Sequence, residues 1–162
     1  MIRDTVLEDL PFVIEWFREP GILKWYPLAN EREAEDAAKL IVSYSPKKGA
    51  LTALHEGVPC GVINLYLSPF EKLSKQALFC ILIRSDQRGK GIGTKLILAI
   101  EERAKELGLE TLHLEVYRGN PAIELYRRLG FVEYGVHPKF IKEGSEYIDK
   151  ILMQKRIDHG RP

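Results

Sequence analysis

The chain has 162 residues, a length suited to one hydrophobic core, and its 45% hydrophobic and 29% charged content is that of an ordinary globular domain. A net charge of +1 supplies no general pull toward nucleic acid or a membrane surface, and the two cysteines, Cys60 and Cys80, lie in strand-like apolar runs where reduced buried thiols, not a disulfide framework, are expected. Arg3, Asp4, Glu8 and Asp9 interrupt any leader-like apolar start and no apolar run reaches membrane-spanning length, so a single cytoplasmic domain over residues 1–162 is expected.

In chain order, residues 2–5 read as a first strand, and Glu8-Asp9-Leu10-Pro11 opens a helix with Phe12, Val13, Trp16 and Phe17 on its apolar side. Pro20-Gly21 stops it. Residues 22–28 form an aromatic connection, and a second helix starts near Asn30 and runs through Ala34, Ala37, Ala38, Leu40 and Ile41 until Ser45-Pro46-Lys47-Lys48-Gly49 ends it. Residues 50–55 and 60–67 are strand candidates joined by the hairpin-like Glu56-Gly57-Val58-Pro59, and residues 68–74 are a loop leading to a strand at 76–83. A glycine-rich turn follows, then an amphipathic helix over 94–107, a strand over 111–116, a short helix after Asn120, and a closing strand pair at 131–137 and 146–154 with Lys142-Glu143-Gly144-Ser145 between. The order is βααβββαβαββ.

The turn Arg88-Gly89-Lys90-Gly91-Ile92-Gly93 lies between strand and helix, where glycines let the backbone approach a ligand and the first helical N–H groups present the positive end of the dipole to an anion. A Walker loop requires glycine where Arg84 stands and Ser/Thr after Gly-Lys, where Gly91 stands; a dinucleotide fingerprint places its third glycine on Thr94. Neither fits. The spacing Arg/Gln-x-x-Gly-x-Gly/Ala, carried by Arg88, Gly91 and Gly93, resembles the pyrophosphate signature of the GNAT N-acyltransferase superfamily. Downstream, Asn120, Ala122, Leu125, Tyr126, Gly130 and Phe131 resemble that superfamily's second signature, Asn-x-x-Ala-x-x-Leu-Tyr-x-x-x-Gly-Phe, with one residue fewer between Asn120 and Ala122. The likeness covers about residues 76–137; before that only the order of elements agrees.

The resemblance implies an α/β (α+β) fold with a mixed, mostly antiparallel central sheet of six or seven strands and about four helices on its faces. It implies acetyl-CoA as cosubstrate and no metal. Backbone groups of Ile81, Leu82 and Ile83 would meet the pantetheine arm, the N–H groups of Arg88, Gly89, Lys90, Gly91, Ile92, Gly93 and Thr94 would meet the pyrophosphate, with the Thr94 hydroxyl and the Arg88 or Lys90 side chain adding donors, and Asn120 is either a cofactor contact or a cap for the helix that Pro121 begins. Tyr126 stands where the family places a phenol near the coenzyme sulfur, a group able to protonate the departing thiolate.

Glu115 leads as general base, because it breaks the apolar character of its strand and shares a face with His113 and Tyr117; His113, His137 and water are alternatives. Trp25 and Tyr26 are candidates for the acceptor wall, together with the loop 68–74 and the final hairpin 136–147. The implied activity is direct acetyl transfer to a primary amine of a small molecule or a peptide, by a monomer or homodimer. A non-catalytic acyl-CoA-binding or sensor module with the same fold is the other class; it would bind acetyl-CoA without releasing thiol.

Overall fold

The computed structural model describes residues 1–160. Its elements are β1 (Ile2–Asp4), α1 (Leu10–Phe17), α2 (Glu31–Ser43), β2 (Ala50–His55), β3 (Val58–Tyr66), β4 (Gln76–Ile83), α3 (Ile92–Glu106), β5 (Thr111–Tyr117), α4 (Ala122–Arg128), β6 (Val132–Glu143) and β7 (Glu146–Arg156). The order is the one that the sequence patterning predicts. The strands make one sheet, β1-β2-β3-β4-β5-β7-β6, antiparallel throughout except between β4 and β5.

Two cores cover the two faces. Val13, Trp16 and Phe17 of α1 and Ala34, Ala38 and Ile41 of α2 pack with Val62 and Leu82. Leu96, Ile97, Ile100 and Ala104 of α3 pack with Ile63, Leu65 and Leu112 on the other side. In α2, Leu40 falls off the buried stripe and is exposed, while the next residues, Ile41 and Val42, turn inward. Asn30 caps α2 by accepting from the Glu33 N–H at 2.9 Å.

Several boundaries move. The connection after Gly21 contains a 3-10 turn, Ile22–Trp25, and the loop 68–74 contains another, Glu71–Leu73. The β2–β3 turn is tighter than expected, since Val58 and Pro59 already belong to β3. The largest change is at β6, which continues to Glu143 through an irregularity between His137 and Ile141, where Lys139 adopts φ 54.

The feature that positions the site is the parting of β4 from β5. They pair only at Gln76↔Thr111, Ala77↔Leu112 and Leu78↔His113, whereas β4 stays registered with β3 as far as Ile83 and β5 with β7 as far as Tyr117. Each strand keeps its antiparallel partner, so the sheet opens as a V along the single parallel seam. Helix α3 begins at the open end, beyond the C-terminus of β4, where ligands of parallel βαβ units gather.

Candidate active site

Two cavities meet in this opening. The larger, about 700 Å³, runs between the ends of β4 and α4 and over the glycine turn; the smaller, about 220 Å³, lies between β4, β5 and β7. Trp25, Tyr26, Ile81, Asn120 and Tyr126 line both, so these five residues form the passage between them.

The turn gives the larger cavity its floor. Gly89 (φ 72) and Gly91 (φ 83) adopt left-handed conformations, and a Cβ on either would project into open space. Gly93 has another reason to be glycine: a Cβ there would come within 3.2 Å of Leu125 Cδ2 and 3.3 Å of Ile83 Cδ1, a tight contact that would press on both side chains, so the bare glycine favours the close approach of α3 to β4 and α4. The first helical backbone bond is Lys95 N–H to Gly91 O at 3.1 Å, which leaves the preceding N–H groups of the first turn without intrahelical acceptors. Left-handed residues in a turn directly ahead of a helix start, with its first N–H groups free, make an anion-binding nest.

Side chains around this floor are placed differently from the sequence expectation. Arg88 lines the cavity, but its Nε donates to Ile83 O at 3.0 Å and its guanidinium pairs with Glu19 at 3.6 Å; Glu19 in turn accepts from the Ser85 N–H. Arg88 thus braces the turn against α1's C-terminal side. Lys90 is exposed and does not line either cavity, and the Ile92 side chain packs against the α3 core; Gly89, Gly91, Gly93 and Thr94 line the cleft.

Along β4, Tyr26 Oη donates to Ile81 O at 2.8 Å, and Arg88 occupies Ile83 O, so the peptide groups of Ile81 and Ile83 face the opening with both carbonyls already engaged. Their N–H groups point the same way. Leu82 turns its peptide toward β3, in register with Val62, and its side chain is buried among α1 and α2.

Tyr126 enters from α4. Its ring meets Phe79 edge-on at 6.1 Å and Phe131 at 6.2 Å, and burial pushes its phenol well above the ordinary tyrosine value, with Cys80 adding to the shift. At neutral pH the hydroxyl is therefore a proton donor. Asn120 serves as a cap: its Oδ1 accepts from the Ala122 N–H at 2.9 Å.

Glu115 lies in the smaller cavity, with Oε2 3.0 Å from Lys150 Nζ, and Lys150 stands 3.7 Å from the Phe140 ring centroid. The other two base candidates are elsewhere. His113 is bonded to Gln76 Oε1, with its pKa lowered by burial, and exposed His137 rests against Phe140; neither lines either of these two cavities. The expected wall from loop 68–74 is supplied instead by its flanks, Tyr66 and Leu78.

Tyr117, on the strand face of Glu115, and Phe140, in the hairpin 136–147, line the smaller cavity, and so does Lys150, which the sequence does not single out. The signal for Lys150 is a cation on the strand face between Ile148 and Leu152. Among the described residues no three His, Cys, Asp or Glu side chains gather as a metal site, and no helix is long and apolar enough to cross a membrane.

The family model for the Acetyltransferase (GNAT) family matches residues 10–131. The L-methionine sulfoximine/L-methionine sulfone acetyltransferase of Pseudomonas aeruginosa is 37% identical over 166 aligned residues, covering 99% of this chain and 96% of that one. A ribosomal-protein-alanine N-acetyltransferase from Brucella melitensis superposes with a TM-score of 0.82 at 25% identity, over 96% of this chain and 99% of the other. A phosphinothricin acetyltransferase from Sinorhizobium meliloti, solved with acetyl-CoA, superposes with a TM-score of 0.81 at 25% identity, over 99% and 89%. Glycine nest, opened β4–β5 seam and buried tyrosine thus accompany family-wide similarity, and the chain belongs to the GNAT family as an acetyl-CoA-dependent N-acetyltransferase.

Proposed function

We propose that the larger cleft takes acetyl-CoA, with its pyrophosphate on the nest of residues 88–94, and that the smaller cavity takes a small amino-acid acceptor whose amine meets the thioester beside Tyr126. The observation that carries this reading is the shared lining: Tyr126, Tyr26, Trp25, Asn120 and Ile81 belong to both cavities, so a donor and an acceptor could react only there. The donor half fits the residues present. Gly89 and Gly91 leave room where any other residue would place a Cβ, and α3 offers unpaired N–H groups to a dianion. The absence of a fixed Arg88 donor matters little, because a nest binds through backbone amides.

Acetyl-CoA supplies the acetyl group as a thioester, so transfer to nitrogen breaks a C–S bond and leaves a thiolate. Tyr126 would hold the proton that this sulfur takes up, and its buried phenol keeps that proton at any pH where amines react. Glu115 would accept the proton of the acceptor ammonium, directly or through water, from the far side of the passage. Trp25 and Tyr26 would wall the passage, with Tyr26 fixed by its bond to Ile81 O and by edge-on packing against Phe17 at 5.3 Å.

Likeness along nearly the whole chain to an acetyltransferase of L-methionine sulfoximine and L-methionine sulfone supports a free amino acid of similar size as acceptor. The free thiols of Cys60 and Cys80 support a reducing, cytoplasmic setting.

The test is thiol release from acetyl-CoA over a panel of amines that includes L-methionine sulfone, repeated with Tyr126→Phe. The wild type should turn over at least one small amino acid well above hydrolysis. Tyr126→Phe should lose about a hundredfold in kcat with nearly unchanged acetyl-CoA affinity. Full turnover by Tyr126→Phe would remove the acid role, and turnover confined to peptides would remove the amino-acid acceptor.

A further inference from the structure

The smaller cavity holds two polar groups that the proposed chemistry does not use. Lys150 is only 9% exposed, unusual for a lysine, and it is held between the Glu115 carboxylate and the face of Phe140. An ammonium has three N–H donors; one goes to Glu115 and one direction is covered by the ring, which leaves donor capacity toward the cavity. Tyr117, opposite Lys150 in the β5–β7 register, is 4% exposed, and its hydroxyl is buried without a hydrogen-bond partner. Buried hydroxyls are seldom left unpaired, because nothing then offsets their lost hydration. Burial first, and the negative charge of Glu115 second, push this phenol up to about 12, so it too presents a proton.

Phe140 joins the two donors. Its ring is 6.4 Å from that of Tyr117 and it arrives through the β6 irregularity, where Lys139 takes a left-handed conformation rare for a residue with a side chain. Asp149 holds that conformation: Oδ1 accepts from the Lys139 N–H at 2.9 Å and Oδ2 from Arg118 Nε at 3.2 Å. A backbone strained and then pinned in this way is a costly means of placing one ring over one ammonium, which points to a function for the arrangement.

A cation and a neutral donor on one wall are suited to a carboxylate. Glu115, adjacent, keeps the local charge balanced. A simple anion would meet Glu115 and a simple cation would meet Lys150, but a zwitterion can turn its ammonium to the first and its carboxylate to the second. We infer that Lys150 and Tyr117 form the carboxylate subsite of the acceptor cavity, so that the enzyme selects free α-amino acids over amines lacking the carboxylate. This rests on the reading of the smaller cavity as the acceptor site.

The experiment compares L-methionine sulfone with its decarboxylated amine as acceptors, measuring kcat/KM for each by thiol release in the wild type, Lys150→Met, Lys150→Arg and Tyr117→Phe. The readout is the ratio of the two values, which is insulated from changes that slow both acceptors equally, such as release of Glu115 from its partner. The wild type should favour the amino acid by roughly a hundredfold. Lys150→Met should lower that ratio about tenfold or more, mainly through KM for the amino acid, Lys150→Arg should keep most of it, and Tyr117→Phe should lower it severalfold. Tyr117→Phe removes a hydroxyl that bonds to nothing, so it folds and keeps the test open if Lys150→Met does not.

A ratio unchanged in both Lys150→Met and Tyr117→Phe would overturn the subsite. So would a wild type that acetylates the decarboxylated amine as well as the amino acid, a result that leaves the cavity as acceptor site. Acetylation of neither compound, nor of any other small amine, would overturn the acceptor reading and the subsite with it.

Discussion

Tyr126 reaches the junction of the two cavities through packing alone: Phe79 and Phe131 hold its ring edge-on, and the hydroxyl is what remains at the opening. Its residue type and place in the second signature made it a candidate in the sequence, whereas Trp25 and Tyr26 were candidates through their aromatic character in the connection after Gly21. Lys150 was not legible, because a single lysine in a terminal strand reads as solvated charge until β7 is laid against β5 and β6 folds Phe140 over it. Asp9 is a second case. In sequence it marks a helix start, yet it is 2% exposed and accepts from Nη1 and Nη2 of Arg3, each at 2.8 Å, from the Val6 N–H at 3.0 Å and from Thr52 Oγ1 at 2.9 Å.

Burial pushes the Asp9 carboxyl up, but the bonds from Arg3, Val6 and Thr52 outweigh it and leave the pKa below its ordinary 3.8. A depressed carboxyl stabilises the fold fully above the unfolded value and loses that contribution as pH falls through the folded one. Asp9→Asn is therefore expected to cost about 3 kcal/mol at neutral pH, with the gap to wild type closing below about pH 4, as read by urea denaturation at several pH values. A gap that persists unchanged into acid would show that the loss comes from packing and not from the charge.

Among the elements, the strand–turn–helix at 76–106 lies where the sequence pattern predicts it: β4 spans the expected residues and α3 starts within two residues of the expected position. The turn's glycines do different work, which spacing alone could not show: Gly93 permits close packing, while Gly91 supplies a left-handed backbone with empty space beyond it. Gly91→Leu should fill that space. Calorimetric titration with acetyl-CoA is expected to show Kd raised at least about tenfold, and the strained φ to cost only about 1–2 kcal/mol of stability. Unchanged affinity would place the pyrophosphate elsewhere. The β6 irregularity was hidden because Pro138 argues for the end of a strand, and only pairing with β7 on both sides of it shows that the strand resumes.

For the whole molecule, the order of elements followed from the periodicities, and the mixed sheet from the resemblance that the two signatures carry, which also implies that β4 parts from β5 beyond its first residues. No residue in β4 or β5 encodes the parting by itself. It arises because both strands satisfy an antiparallel neighbour over more of their length than they satisfy each other, a property of register and not of local pattern. That opening creates the two cavities, and their common lining supports our proposal that one is the donor site and the other the acceptor site. The most direct test is a crystal structure with acetyl-CoA or coenzyme A and L-methionine sulfone together. The coenzyme is expected in the larger cleft with its pyrophosphate on residues 88–94 and its sulfur within hydrogen-bond distance of Tyr126 Oη, and the amino acid in the smaller cavity. A coenzyme sulfur remote from Tyr126, or an acceptor bound away from Glu115 and Lys150, would contradict this assignment of the two halves.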